Sequence, residues 1–150
     1  MFNKEKTKVI NLGCRLNFFE SEVINGILSD KKHEKKIVVN TCAVTNNAVQ
    51  KSLQEVRKLA KYYPDKEIIV TGCASQLEKG LFENLKNVSR IIDNKYKTVP
   101  DAYEFKNSLV GKKYEFPELA NTESKRTRAT IQIQQGCNHR CTFCIIPYGR

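Results

Sequence analysis

Apolar and polar positions along the chain follow two rhythms in alternation. Runs rich in β-branched residues occur at VINLGC (Val9–Cys14), IVVNTC (Ile37–Cys42) and IIVTGC (Ile68–Cys73), each with a cysteine five positions after its first residue. A fourth run, VSRIID at 88–93, has Asp93 where that cysteine would fall. Such short apolar runs predict buried strands. Between them the period becomes helical. Phe19, Val23, Ile24, Ile27 and Leu28 share one stripe after Cys14, and Asn17 with Glu20 predicts a capping box at the start of that helix. Val49, Leu53, Val56, Ala60 and Tyr63 repeat at helical spacing until Pro64 ends the run. QLEKGLFENLK after Cys73 predicts a shorter helix weakened by Gly80, and VPDAYEFKN a short helix within 98–107.

Strands alternating with helices at this spacing predict βαβ units: an α/β fold with an open parallel sheet flanked by helices. A parallel sheet gathers the carboxyl ends of its strands along one edge, where open α/β sheets bind ligands. Cys14, Cys42 and Cys73 are therefore expected together at that edge, on strands ~5 Å apart. This unit is assigned to residues 1–108. Residues 109–128 are polar and aperiodic and read as a linker. At 129–150 a new strand, ATIQIQQ, is expected to run into a cysteine loop.

Composition narrows the chemistry. The 150 residues are 40% hydrophobic and 28% charged, the balance of a globular protein, and no apolar run approaches the ~20 residues needed to cross a bilayer. A cytoplasmic, membrane-free protein is expected, with its six cysteines as thiols. The formal charge of +10, with basic runs at Lys31–Lys36, Lys112–Lys113 and Lys125–Arg128, suits a phosphate-rich partner such as tRNA. A solvated lysine-rich surface explains the same excess.

The sharpest chemical signal is QQGCNHRCTFCIIPYGR at 134–150, where Cys137, Cys141 and Cys144 stand as C-x3-C-x2-C. Zinc prefers four ligands and a disulfide needs two. Three thiolates can hold a [4Fe–4S] cube and leave its fourth iron open to a non-protein ligand. The bland alternatives are a zinc site, in which His139 sits too close in sequence to chelate easily, or incidental buried cysteines. A thiol-redox module is a further alternative, but no C-x2-C pair opens a helix as that chemistry prefers. Individually, Cys14, Cys42 and Cys73 are weak signals, since a lone strand-end cysteine is often a small hydrophobe. Their shared offset suggests a second cluster.

The C-x3-C-x2-C loop with Phe143 before its last cysteine resembles the signature of the radical S-adenosylmethionine (SAM) enzymes. Taken with NLGCRLNFFESE, VVNTCAVTNNAVQKS and VTGCASQ, the chain resembles the radical SAM methylthiotransferases over nearly its whole length. Within them it looks most like the tRNA branch acting on N6-threonylcarbamoyladenosine beside the anticodon. The isopentenyladenosine and ribosomal-protein branches are the alternatives. The resemblance implies two [4Fe–4S] clusters and SAM as cofactors. Cys14, Cys42 and Cys73 would be ligands of an auxiliary cluster that handles the sulfur. Cys137, Cys141 and Cys144 would be ligands of the SAM cluster. It also implies tRNA and an electron-donor protein as partners, hydrogen removal from C2 of the adenine, and joining of a methylthio group there. Asn17, Asn40, Thr41 and Gln76 match motif positions, where they would bond cluster sulfides, orient loops or serve as ordinary turn and cap residues. Relative to that family the chain reads as an N-terminal fragment that stops within the radical SAM barrel. It is therefore expected not to complete catalysis alone, unless a second polypeptide supplies the barrel. The rival from another class is a non-catalytic iron–sulfur or zinc protein that binds RNA.

Overall fold

A computed structural model describes residues 8–29, 35–104 and 130–150. Four strands, β1 (Lys8–Asn11), β2 (Lys36–Thr41), β3 (Glu67–Gly72) and β4 (Val88–Ile92), pair in parallel in the order β1-β2-β3-β4. The open parallel sheet expected from the sequence is therefore present; its central strands β2 and β3 are β-branched and buried on both faces, while the edge strands β1 and β4 are largely half-buried.

Alternation along the strands divides the core in two. Ile37, Val39, Ile68 and Val70 face α2 (Asn46–Tyr62), packing with its Leu53, Val56 and Leu59. Ala74 of α3 (Cys73–Leu77) and Phe82 of α4 (Lys79–Glu83) complete that layer. On the other face Val38, Ile69 and Ile92 meet Ile24 of α1 (Arg15–Ile27), the adjoining Leu28, and Ala102 and Tyr103 of α5 (Asp101–Glu104). Since the sheet grows in one direction while α1 and α2 cover opposite faces, the first two crossovers have opposite hands. One of them has the hand that βαβ units rarely adopt.

Helix α2 is the most conventional element. Thr45 caps it, its hydroxyl accepting from the Ala48 amide at 3.1 Å, and Pro64 follows its end. Elsewhere local expectations need correction. Asn17 and Glu20 form no capping box: Cys14 is the N-cap of α1, without a side-chain cap bond, and both residues lie buried inside the helix. Their polar ends are engaged by distant parts of the chain, a tertiary demand that outweighs the local cap. The helix after β3 begins at Cys73 itself and divides at Glu78, while Gly80 lies within α4.

The strand expected at 129–135 does not form over its described part, residues 130–135. No described strand lies alongside to satisfy its backbone, and Ile131 and Ile133 are exposed. Only Asp101–Glu104 of the helix expected within 98–107 is described as helical, and residues 105–107 lie outside the described part. Also outside it are the 109–128 linker and the basic runs at Lys112–Lys113 and Lys125–Arg128. Of the run at Lys31–Lys36, only the last two residues are described. Among the described residues, no helix is long and apolar enough to cross a membrane.

Candidate metal centre

The carboxyl edge of the sheet carries the first set of cysteines. Thr41 of β2 stands opposite Gly72 of β3, so the next residues, Cys42 and Cys73, leave adjacent strands at the same level. On the other side Asn11 pairs with Asn40, and the Leu12 amide donates to the Asn40 carbonyl at 3.0 Å. The chain then turns through Gly13, whose amide donates to Asn11 Oδ1 at 2.9 Å, and reaches Cys14. Cys42 and Cys73 are buried and Cys14 is exposed.

Close backbone packing holds this edge together. Gly72 has φ +101°, and a Cβ there would stand 2.4 Å from the backbone nitrogen and oxygen of Thr41, so only glycine fits. Asn17 Nδ2 donates to the Thr41 carbonyl at 2.8 Å, and Asn40 Nδ2 donates to the Asn17 carbonyl at 2.9 Å and to Ser21 Oγ at 3.0 Å. The Thr41 hydroxyl donates to the Thr71 carbonyl at 2.7 Å and accepts from the Ser75 amide at 3.1 Å. Gln76 Oε1 accepts from the Asn94 amide at 3.2 Å. In this arrangement Asn17, Asn40, Thr41 and Gln76 orient the loops that carry the thiols.

The second set lies in the segment 130–150. Cys137 and Cys144 are half-buried and Cys141 is exposed; the Cys144 amide donates to the Cys141 carbonyl at 3.0 Å, closing a turn. His139 and Phe143 are exposed. A short helix, α6 (Ile146–Gly149), then brings the chain onto the first set. A Cβ on Gly149 would lie 3.4 Å from Cys73 Cβ. Asn94, just beyond β4, bridges the two parts: its Nδ2 lies 3.8 Å from Cys73 Sγ and donates to the Gly149 carbonyl. The segment's tail and Cys73 thus share one site.

Beneath that site is a buried charge cluster. Lys97 Nζ stands 2.5 Å from Glu20 Oε2, and Arg150 pairs with Glu20 Oε1; all three side chains are at most 1% exposed. Lys97 also donates to Asn40 Oδ1 at 3.5 Å, while Tyr103 donates its hydroxyl to the Lys97 carbonyl at 2.6 Å. Burial lowers the Lys97 ammonium to about 8, outweighing the attraction of Glu20. Burial raises the Tyr103 phenol above its ordinary value. Arg150 is held above its ordinary value: burial opposes its charge, but Glu20 and then Cys73 more than offset that. Glu20 read locally as a capping residue, and nothing in the sequence pattern marked Lys97 or Asn94 at all.

Among the described residues, no three His, Cys, Asp or Glu side chains converge to grip a single ion. A cube imposes a different requirement, because its three ligands bind three different irons and so stand farther apart than ligands of one ion. The donor chemistry fits: soft thiols at successive strand ends, with amides and hydroxyls fixing their loops.

Residues 6–93 match the profile of uncharacterized protein family UPF0004. Threonylcarbamoyladenosine tRNA methylthiotransferase MtaB of Rickettsia prowazekii is 37% identical over 156 aligned positions, covering 100% of this chain and 37% of that protein. Ribosomal protein uS12 methylthiotransferase RimO of Clostridium acetobutylicum is 34% identical over 97% of this chain and 37% of its own length. The tRNA-2-methylthio-N(6)-dimethylallyladenosine synthase of Chloroherpeton thalassium is 31% identical over 98% of this chain and 37% of its own. The chain spans about a third of the length of the curated relatives it matches. Since the profile covers more than half of the chain and each of these relatives has methylthio chemistry in its name, the chain belongs to the methylthiotransferase family described as uncharacterized protein family UPF0004.

Proposed function

We propose that these residues form the cluster-binding part of a tRNA methylthiotransferase that modifies N6-threonylcarbamoyladenosine at C2. In this reading Cys14, Cys42 and Cys73 hold an auxiliary [4Fe–4S] cluster, and Cys137, Cys141 and Cys144 hold the cluster that binds SAM. When bound, these groups supply the sulfur and the one-electron chemistry needed at an unactivated C–H bond, which no side chain can provide.

The chain's own residues position and insulate. Asn17, Asn40 and Thr41 fix the loops after β1 and β2, and Ser75 and Gln76 do the same after β3. Lys97 and Arg150 share the single Glu20 carboxylate, so the cluster leaves one net positive charge behind the cysteine edge, opposing part of the negative charge that several thiolates would bring together. The +10 formal charge suits a tRNA partner, whose phosphates attract such a surface before any base is read.

The observation that carries the reading is the shared level of Cys42 and Cys73 at one sheet edge, with the tail of the second cysteine segment against Cys73. The threonylcarbamoyl substrate is favoured by the 37% identity to the Rickettsia protein. Relatives named for dimethylallyladenosine and for ribosomal protein uS12 align over almost the same share of the chain and keep those substrates as the second reading. Mass spectrometry of tRNA nucleosides and of uS12 after disruption of the gene separates them. Loss of 2-methylthio-N6-threonylcarbamoyladenosine alone is expected. Loss of the dimethylallyl derivative or of the uS12 modification instead would move the assignment to that branch.

A further inference from the structure

Arg150 does more than add charge. Its Nη1 donates to Gln135 Oε1 at 3.1 Å, joining the residues that flank the cysteine segment on either side. Gly136, with φ +73°, sits close enough that a Cβ there would be 3.3 Å from the Arg150 carbonyl oxygen. The segment from 136 to 149 is therefore a loop closed at its neck by Arg150. The same guanidinium reaches across to α1, donating to Asn17 Oδ1 and pairing with Glu20 Oε1. That helix starts directly after Cys14, and Asn17 also holds the Thr41 carbonyl beside Cys42. Glu20 is shared in turn with Lys97, so one buried carboxylate ties the loop neck to the body of the α/β unit.

We propose that Arg150 is a positioning residue that locks the Cys137–Cys144 loop in register with the Cys14–Cys42–Cys73 edge, through its fork onto Glu20, Asn17 and Gln135. An arginine suits the task, because a planar group with five donors can bind three acceptors in fixed directions where a lysine offers only a point charge. The docking stands on the contacts alone. Its consequence for chemistry, a fixed spacing between two clusters, rests on the ligand assignment proposed above.

The test begins with the full chain free of iron. Tyr148 and Gly149 donate their amides to the Ile145 carbonyl at 3.1 Å within a single helical turn. A turn that short has no stability of its own, so protection of these amides from hydrogen exchange reports docking. At least ~10-fold protection is expected in the parent chain, falling to within ~2-fold of an unstructured peptide in Arg150→Gln. The amides of Val38, Val39, Ile69 and Val70 should keep their protection. Arg150→Lys should recover an intermediate value. Unchanged protection at 148–149 in Arg150→Gln would overturn the proposal, as would protection lost equally in the sheet or a lysine variant no better than glutamine.

A second readout uses the iron-loaded, reduced chain. Arg150→Gln should keep its iron content but lose magnetic broadening between the two clusters, and Arg150→Lys should restore part of it. Unchanged broadening would refute the role in spacing. Failure to load iron at all would count against the ligand assignment, and amide exchange would still decide the docking.

Discussion

Glu20→Gln tests the buried cluster from its centre. The carboxylate is 1% exposed and serves both Lys97 and Arg150. Removing one partner of a buried ion pair costs about 3–5 kcal/mol, chiefly because the remaining charge is left uncompensated. Here two cations share the loss unequally. Lys97 ordinarily titrates at 10.5 and is lowered to about 8 in the fold, so at pH 7 its burial already carries a cost of about 3 kcal/mol. Without Glu20 it can release its proton, and a neutral amine at pH 7 costs about 5 kcal/mol relative to the unfolded chain. Its added share is therefore capped at about 1–2 kcal/mol. Arg150 cannot release its proton, and its share is about 2 kcal/mol, the cost of a charged group that loses its hydrogen-bonding partner. The expected deficit at pH 7 is about 3 kcal/mol, at the lower end of the buried-pair range.

The pH dependence identifies the cause. Between pH 8 and 10.5 the unfolded chain holds the Lys97 proton and the folded chain does not, so Lys97's contribution to stability rises with pH across that window. By pH 9 Lys97 is largely neutral in both proteins, and the deficit of Glu20→Gln should shrink by about 1 kcal/mol. Urea unfolding of the iron-free, reduced chain, followed by far-ultraviolet circular dichroism at pH 7 and pH 9, measures both quantities. Comparison of the two proteins cancels the titration of groups they share. A deficit below about 1 kcal/mol at pH 7, or one that does not shrink by pH 9, would refute the reasoning.

Other substitutions probe the edge and its supports. Gly72→Ala should destabilise by at least about 2 kcal/mol in the same urea assay, since it combines a positive φ with a Cβ driven into Thr41. A loss below about 0.5 kcal/mol would show that the β2–β3 edge is loosely packed. Thr45→Ala removes the α2 cap and should cost about 1 kcal/mol while leaving iron uptake unchanged. Cys73→Ala should leave the circular dichroism spectrum intact while abolishing iron binding by the first set alone. Retention of full iron content would remove Cys73 from the ligand set.

The sheet was legible because its signal is redundant. Three β-branched runs end in cysteines at one offset, and a fourth repeats the pattern without one, so each strand supports the assignment of the others. Helix α2 was equally clear, with a full apolar stripe and a terminating proline, although its capping residue, Thr45, emerged only in the structure. The failures share a cause. Asn17 and Glu20 carry the spacing of a local cap, but each bonds to residues distant in sequence, and no local pattern encodes Thr41, Lys97 or Arg150 as their partners. A lysine at 97, flanked by Tyr96 and Thr98, reads as a surface residue; only the packing of Tyr103 and Glu20 around it makes it fully buried. The stretch at 130–135 alternates as a strand should, yet pairing is a property of two strands, and no described neighbour supplies the second.

The central claim is that two sets of three thiols each hold an iron–sulfur cube. Oxygen-free reconstitution of the chain with iron and sulfide, with iron counting and low-temperature electron paramagnetic resonance of the reduced protein, measures it most directly. The prediction is about eight irons per chain with cubane signals, falling to about four in Cys137→Ala. Binding of a single zinc with no iron, or iron without any cubane signal, would contradict it.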